Sequence, residues 1–256
     1  MRESAGTGRP VVLVHGNSSS SRTWQAVLDG PFGQRFRCLA IDLPGHGGSP
    51  KPAGGDYTIA TFTNAVVDFA KANDALNAAF VGWSLGGHIV LQSAPELPDA
   101  AGFAIFGTPP LPSPAAVPQA FLPVSAVGLG FTANLFPQDA EAYASHFVAP
   151  GSTLPLDPFT GDILNTDPAA RAGIGAAIAS GAVADEAAIV AALRQPLAVL
   201  HGREDQLISL DYLRGVDMPT LWRGEVQVLD GVGHAPQEEA PEAFAALLTR
   251  FMDDLG

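Results

Sequence analysis

Residues 78–88 read Ala-Ala-Phe-Val-Gly-Trp-Ser-Leu-Gly-Gly-His, and the reading of the fold turns on this stretch. Ala78 to Gly82 is an apolar run that suits a buried strand, and Gly86 to Ala94 suits a helix. Between them stands Gly82-Trp83-Ser84-Leu85-Gly86, a G-x-S-x-G sequence. A serine held in so sharp a strand-to-helix turn leaves no room for bulk two residues to either side, hence the glycines. The turn lifts the hydroxyl above the sheet, and the helix N-terminus behind it favours developing negative charge. The pentapeptide is common by itself; the strand before it and the helix after it make Ser84 a candidate nucleophile.

Outward from this point, strands and helices alternate. Toward the N-terminus lie the strands Pro10 to His15 and Phe36 to Ile41, with a helix start at Ser21 to Leu28 between them. From Thr58 to Leu76 the apolar positions Ile59, Phe62, Val66, Phe69 and Leu76 recur near helical spacing. Toward the C-terminus come the strands Ala101 to Phe106, Leu197 to His201 and Glu225 to Leu229, then a helix from Pro241 to Asp253. Such alternation predicts an α/β protein with a mostly parallel central sheet flanked by helices. Between Thr108 and Gln195 the rhythm breaks into short helical patterns at 138–146, 168–179 and 185–193. A structureless loop of that length is uncommon in a compact domain. The expected organisation is a core of residues 1–108 and 196–256 with a mainly helical cap, 109–195, inserted in it.

Composition narrows the partners. Nearly half of the 256 residues are apolar (47%) and 15% are charged, which allows a sizeable core. The net charge is −13, from 13 Lys and Arg against 26 Asp and Glu, with no basic cluster. Binding a phosphate backbone needs such a cluster, so nucleic acid is not an expected partner. The longest apolar stretch, Ala78 to Ala94, contains Ser84, His88 and Gln92, which a lipid-spanning helix would resist. The first ten residues are polar and resemble no secretory signal. The lone Cys38 excludes an internal disulfide and fits a reducing, cytoplasmic setting. A soluble protein is expected, and nothing in the chain specifies an oligomeric state.

A serine hydroxyl needs a base, and the base an orienting acid. Of six histidines, His234 is best placed, in the loop Gly231-Val232-Gly233-His234-Ala235-Pro236 between the last strand and the last helix. His15 suits bracing the loop beside it, His46 and His88 suit structural roles, and His146 a surface role. Asp205 follows a strand in His201-Gly202-Arg203-Glu204-Asp205; Glu204 is its rival, and Asp205 is favoured. The backbone amides of Leu85, after the nucleophile, and Asn17, after His15-Gly16, are the candidate oxyanion donors. Trp83, Phe121, Leu122, Phe131, Leu135 and Phe136 are candidates for an acyl-chain pocket, and packing of the cap onto the core is an equal reading of most of them. The histidines are scattered rather than clustered, so no metal is expected, and no motif calls for a cofactor.

The segments HGNSSSS (15–21), DLPGHGGS (42–49), GWSLGGH (82–88), GTPP (107–110), HGRED (201–205) and GVGHAPQEEAPE (231–242) resemble the α/β-hydrolase superfamily over nearly the whole chain. Taken with Leu221-Trp222-Arg223-Gly224, they are similar to the serine-type N-acyl-homoserine lactone hydrolases, which open the ring of bacterial quorum-sensing signals. The resemblance implies a triad of Ser84, His234 and Asp205, and an oxyanion hole at Asn17 and Leu85. It also implies a substrate-binding hydroxyl at Tyr143 and a small ester or lactone with an apolar acyl chain as substrate. Two departures stand out: the acid is Asp205 where those lactonases carry Glu, and the sheet is expected to lack the edge hairpin usual in relatives. Carboxylesterases and hydrolases of other lactones, such as enol-lactones, use the same triad. A non-catalytic binding protein of this fold is a third reading, against which all three triad candidates stand. An aspartate-nucleophile dehalogenase is excluded by serine at position 84.

Overall fold

A computed structural model describes residues 1–52 and 54–256 of the chain. Seven strands form one sheet: β1 (Arg2–Glu3), β2 (Pro10–Val14), β3 (Arg37–Ile41), β4 (Ala79–Trp83), β5 (Gly102–Phe106), β6 (Leu197–Gly202) and β7 (Gln227–Leu229). Their spatial order is β1-β3-β2-β4-β5-β6-β7. Every pairing is parallel except that of β1 with β3. The apolar runs behave as parallel strands should, covered on both faces: β4, β5 and β6 are buried at every position. The expectation of a sheet without an N-terminal edge strand is corrected in one respect. Arg2 and Glu3 pair antiparallel with Ala40 and Leu39, giving a two-residue edge strand too short for its pattern to show in the sequence.

Helices α1 (Gln25–Asp29), α2 (Pro31–Arg35), α3 (Ile59–Ala72) and α4 (Leu85–Ser93) precede the break in the alternation. Thr58 and Thr61 close a reciprocal cap at the start of α3, whose buried stripe is Phe62, Val66 and Ala70. That helix stops short of the expected Leu76, because Asp74 takes φ 53°, outside the helical region. The segment between β5 and β6 holds α5 (Val117–Ala120), α6 (Ala126–Leu129), α7 (Pro137–Ala144), α8 (Asp157–Asn165), α9 (Pro168–Ser180) and α10 (Glu186–Ala192). Its one β-type contact among the described residues is an isolated bridge from Phe121 to Ile208. Helix α8 has no counterpart in the sequence reading: Pro158, Thr160 and Gly161 are weak helix formers, and burial of Phe159 and Ile163 holds it. The chain ends with α11 (Leu210–Gly215), α12 (Pro236–Glu239) and α13 (Pro241–Asp254). Among the described residues no helix is long and apolar enough to cross a membrane.

The topology fixes where a site can form. From β2 the chain moves to β3 on one side, and from β3 it crosses back past β2 to β4 on the other. Connections that diverge in this way leave a crevice at the carboxyl ends of the two strands. Val14 of β2 lies opposite Gly82 of β4. Asn17 and Ser84 stand three and two residues beyond that pair, one on each side of the crevice.

Candidate active site

Ser84 adopts φ 53° and ψ −119°, a conformation that L-residues avoid. Its backbone is pinned on both sides. Its amide donates to the Phe106 carbonyl at 2.9 Å, and its carbonyl accepts from the Gly87 and His88 amides and the Thr108 hydroxyl at 2.9, 3.2 and 2.9 Å. Thr108 gives the GTPP segment its structural meaning. The elbow glycines are required by contact: a side-chain carbon at Gly82 would sit 2.5 Å from the Gly86 carbonyl oxygen, and one at Gly86 2.5 Å from that of His15. Leu85 opens α4, so its amide has no partner one turn back within the helix. Neither it nor the Asn17 amide donates to a protein acceptor among the described residues. His15 braces the loop between them: its Nδ1 pairs with the Gly16 carbonyl at 2.8 Å and its Nε2 accepts from the Leu43 amide at 3.0 Å.

His234 Nδ1 lies 2.8 Å from Asp205 Oδ2, both side chains being almost wholly buried. The other carboxylate oxygen accepts from the amides of Leu207 and Ile208 at 2.8 and 3.2 Å. Burial alone would raise the Asp205 pKa, but the adjacent imidazole and these hydrogen bonds outweigh it and hold the carboxyl below its ordinary value. The neighbouring acid Glu204 is exposed, so geometry separates the two rivals. Ser84, His234, Leu85 and Asn17 border one cavity whose other walls come largely from the helical segment between β5 and β6, with about 990 Å³ of empty space including its mouth. Its walls are mainly apolar, among them Ile59, Val117, Phe131, Ile174, Ile178 and Leu207.

Of the sequence candidates for substrate contact, Tyr143 and Phe121 line this cavity. The Tyr143 hydroxyl and Asn17 Nδ2 converge at Gly130, within 2.7 and 3.3 Å of where a side-chain carbon would stand there. Burial pushes the Tyr143 pKa up, so its hydroxyl keeps its proton to donate. Asn17 Nδ2 donates to the Gly130 carbonyl at 2.6 Å, tying the loop after β2 to the segment between β5 and β6. Two candidates are corrected. Trp83 is 1% exposed and lies beneath the site, its Nε1 donating to the His234 carbonyl at 2.8 Å and its ring 5.8 Å from the imidazole. Phe136 is 65% exposed: as the extended residue before α7 it falls off the inner stripe formed by Ala140, Tyr143 and Ala144. Leu122 and Leu135 also lie outside the cavity lining.

Several residues at the site escaped the sequence reading. His88, read as structural, lines the cavity with Gln92 and Glu186. Arg171 is 2% exposed and has no carboxylate partner among the described residues; it donates to the carbonyls of Thr132, Ala133 and Ile163 at 2.8–2.9 Å, and to the Ser18 hydroxyl at 3.4 Å. Glu239 accepts from the amides of Ala149 and Gly233 at 2.8 and 2.6 Å, fastening the His234 loop to the segment between β5 and β6. The sole usable signal was the run of acids after His234; nothing local marks Arg171. Among the described residues no three His, Cys, Asp or Glu side chains gather as a metal site would require.

Residues 11–247 match the model of the alpha/beta hydrolase family, and the chain belongs to that family. It is an α/β-hydrolase enzyme of the esterase or lactonase type. A structure of the N-acyl homoserine lactonase AidH complexed with N-hexanoyl homoserine lactone is 34% identical, with a TM-score of 0.94 over 99% of this chain and 93% of that one. The pimeloyl-[acyl-carrier protein] methyl ester esterase of Methylococcus capsulatus is 29% identical over 98% of this chain and 97% of its own length. The esterase RhEst1 from Rhodococcus sp. ECU1013 is 25% identical with a TM-score of 0.80, over 100% of this chain and 94% of that one.

Proposed function

We propose that this protein opens the lactone ring of N-acyl-homoserine lactones, with Ser84 as nucleophile, His234 as base and Asp205 as the orienting acid. The observation that carries the reading is the His234–Asp205 hydrogen bond of 2.8 Å at the wall of the same apolar cavity that Ser84 enters. The likeness to the lactonase AidH over almost the full chain supports the choice of substrate.

In this mechanism Ser84 Oγ attacks the lactone carbonyl carbon and its proton passes to His234 Nε2. Asp205 holds the imidazole and stabilises the cation that forms. The amides of Asn17 and Leu85 receive the oxyanion. Collapse breaks the ring C–O bond, and the proton on His234 goes to the departing ring oxygen, which stays tethered as a hydroxyl. Water, giving a proton to His234, then cleaves the acyl-enzyme and releases the N-acyl homoserine. Tyr143 and the Asn17 side chain, both at the cavity wall, receive the substrate amide in this reading, and Phe121 and Phe131 receive the acyl chain. Residues 109–195 act as the cap that shapes this space. The buried thiol of Cys38, pushed up to about 12 by burial, has no part in the chemistry and suits a reducing cytoplasm.

Ester hydrolysis is the second reading, favoured by the near-complete overlap with the pimeloyl ester esterase. Incubation with homoserine lactones of several acyl lengths beside p-nitrophenyl esters separates the two. Ring-opened acid from the lactones is the expected result; ester turnover without ring opening would leave a general esterase. A fluorophosphonate probe distinguishes enzyme from binding protein, and absence of an adduct at Ser84 would sink both hydrolase readings.

A further inference from the structure

One wall of the cavity breaks its apolar character. His88 and Gln92 reach it from α4 and Glu186 from α10. Residues 84, 88 and 92 are four apart, so they form a row along one side of α4, and the His88 amide bonds directly to the Ser84 carbonyl. A rise of 1.5 Å per residue puts His88 about 6 Å and Gln92 about 12 Å along the helix from the nucleophile.

Every polar side-chain atom of the cluster has at least one partner among the described residues, save one. Glu186 is 3% exposed; its Oε2 accepts from His88 Nδ1 at 2.8 Å and the Leu111 amide at 3.2 Å, and its Oε1 from Gln92 Nε2 at 2.7 Å. Gln92 Oε1 accepts from the Ala184 amide at 3.2 Å. His88 Nε2 is left without a protein partner among the described residues. With a carboxylate on Nδ1, a neutral imidazole keeps its proton there and presents Nε2 as an acceptor; a protonated ring presents it as a donor. Burying polar groups beside an apolar pocket is costly. Holding the segment between β5 and β6 to α4 needs only Gln92, with Glu186 and the Ala184 amide, not a histidine whose second nitrogen has no protein partner among the described residues.

We propose that His88, oriented by Glu186 and Gln92, is a binding subsite for an oxygen substituent on the acyl part of the substrate. An extended chain advances about 3.6 Å per three bonds, so about 6 Å corresponds to about five bonds from the scissile carbon. In an N-acyl-homoserine lactone five bonds lead through the α-carbon, the amide nitrogen and the amide carbonyl to the third acyl carbon. The substrate class is therefore the 3-hydroxy and 3-oxo acyl-homoserine lactones. The inference rests on the hydrolase reading above and narrows its substrate.

The test compares kcat/KM for N-hexanoyl-, N-(3-hydroxyhexanoyl)- and N-(3-oxohexanoyl)-homoserine lactone, with p-nitrophenyl hexanoate against its 6-hydroxy analogue, whose oxygenated carbon is also five bonds out. The expected result is a preference of about tenfold for an oxygenated member over its plain partner. That ratio falls to within about twofold of unity in the double variant His88→Leu/Glu186→Leu, which strands no buried charge. Because the ratio is taken within one protein, general damage to the enzyme cancels. Wild-type ratios near unity, or a ratio that survives the double substitution, would overturn the subsite. If esters are cleaved and lactones are not, the lactone reading falls while the ester pair still judges the subsite. If neither class turns over, calorimetric titration of the same pairs reads the ratio as Kd.

Discussion

Ser84 holds a backbone conformation that costs about 1–3 kcal/mol, and its neighbours offset that cost through the bonds to Phe106, Thr108, Gly87 and His88. The strain belongs to the turn and not to the hydroxyl. Ser84→Ala is accordingly expected to lower kcat by at least about 10⁴-fold with little change in melting temperature. Asp205→Asn tests the partner: an amide can offer Nδ1 a hydrogen in place of an acceptor, so kcat should fall about 10⁴-fold. Substrate turnover beside circular-dichroism melts checks both, and an Asp205→Asn enzyme of wild-type activity would remove it from the triad. At this scale the sequence tells which residues the fold would bring together: Ser84 and His234 border one cavity, and Asp205 bonds His234. Ser84, Asp205 and His234 each follow a strand and match a chemical need. Trp83 and Phe136 were misread because an aromatic residue near a site can lie beneath it, as Trp83 does, or in solvent, as Phe136 does, with no change in sequence character.

Elements carry the cap. Six of the seven strands and the long helices of the core are legible because their apolar pattern persists over several turns or several residues, which the two residues of β1 do not allow. Cap helix α8 is not legible, since tertiary burial of Phe159 and Ile163 sustains it over poor local propensity. Much of the internal bracing of the segment between β5 and β6 passes through Arg171, which reaches the adjacent carbonyls of Thr132 and Ala133 and that of Ile163, and touches the loop after β2 through the Ser18 hydroxyl. Burial works to lower its pKa, and the guanidinium fork makes the position hard to replace. Arg171→Ala leaves those carbonyls unsatisfied and opens a void. The expected loss is about 3 kcal/mol in urea unfolding, with KM for acylated substrates rising more than kcat falls. An unchanged urea midpoint would show that the cap is held elsewhere, for example by Arg22 with Asp162 and Glu238.

Over the whole molecule, buried histidines make stability depend on pH. Burial lowers the pKa of His15, His201 and His46, the last to about 3 from an ordinary 6.5. Between those two values the unfolded chain binds a proton at His46 that the folded chain refuses. Its contribution is therefore complete above pH 6.5 and is lost as pH falls toward 3. Relative to His46→Gln, the wild type should lose about 1.4 kcal/mol per pH unit across that window; parallel stability curves would refute the assignment. The sequence by itself determined the alternation, the strand-to-helix turn at Ser84 and the order of the triad candidates, because periodicity, glycine sterics and residue chemistry act over a few neighbours. Tertiary structure alone decided what meets across the crevice. It set Asp205 and not Glu204 against His234, moved Trp83 beneath the site, and turned the row from Ser84 through His88 to Gln92 into a cavity wall. The physical reason is range: residues 88 and 186, or 17 and 130, become neighbours only when the crossover between β3 and β4 and the cap between β5 and β6 have closed.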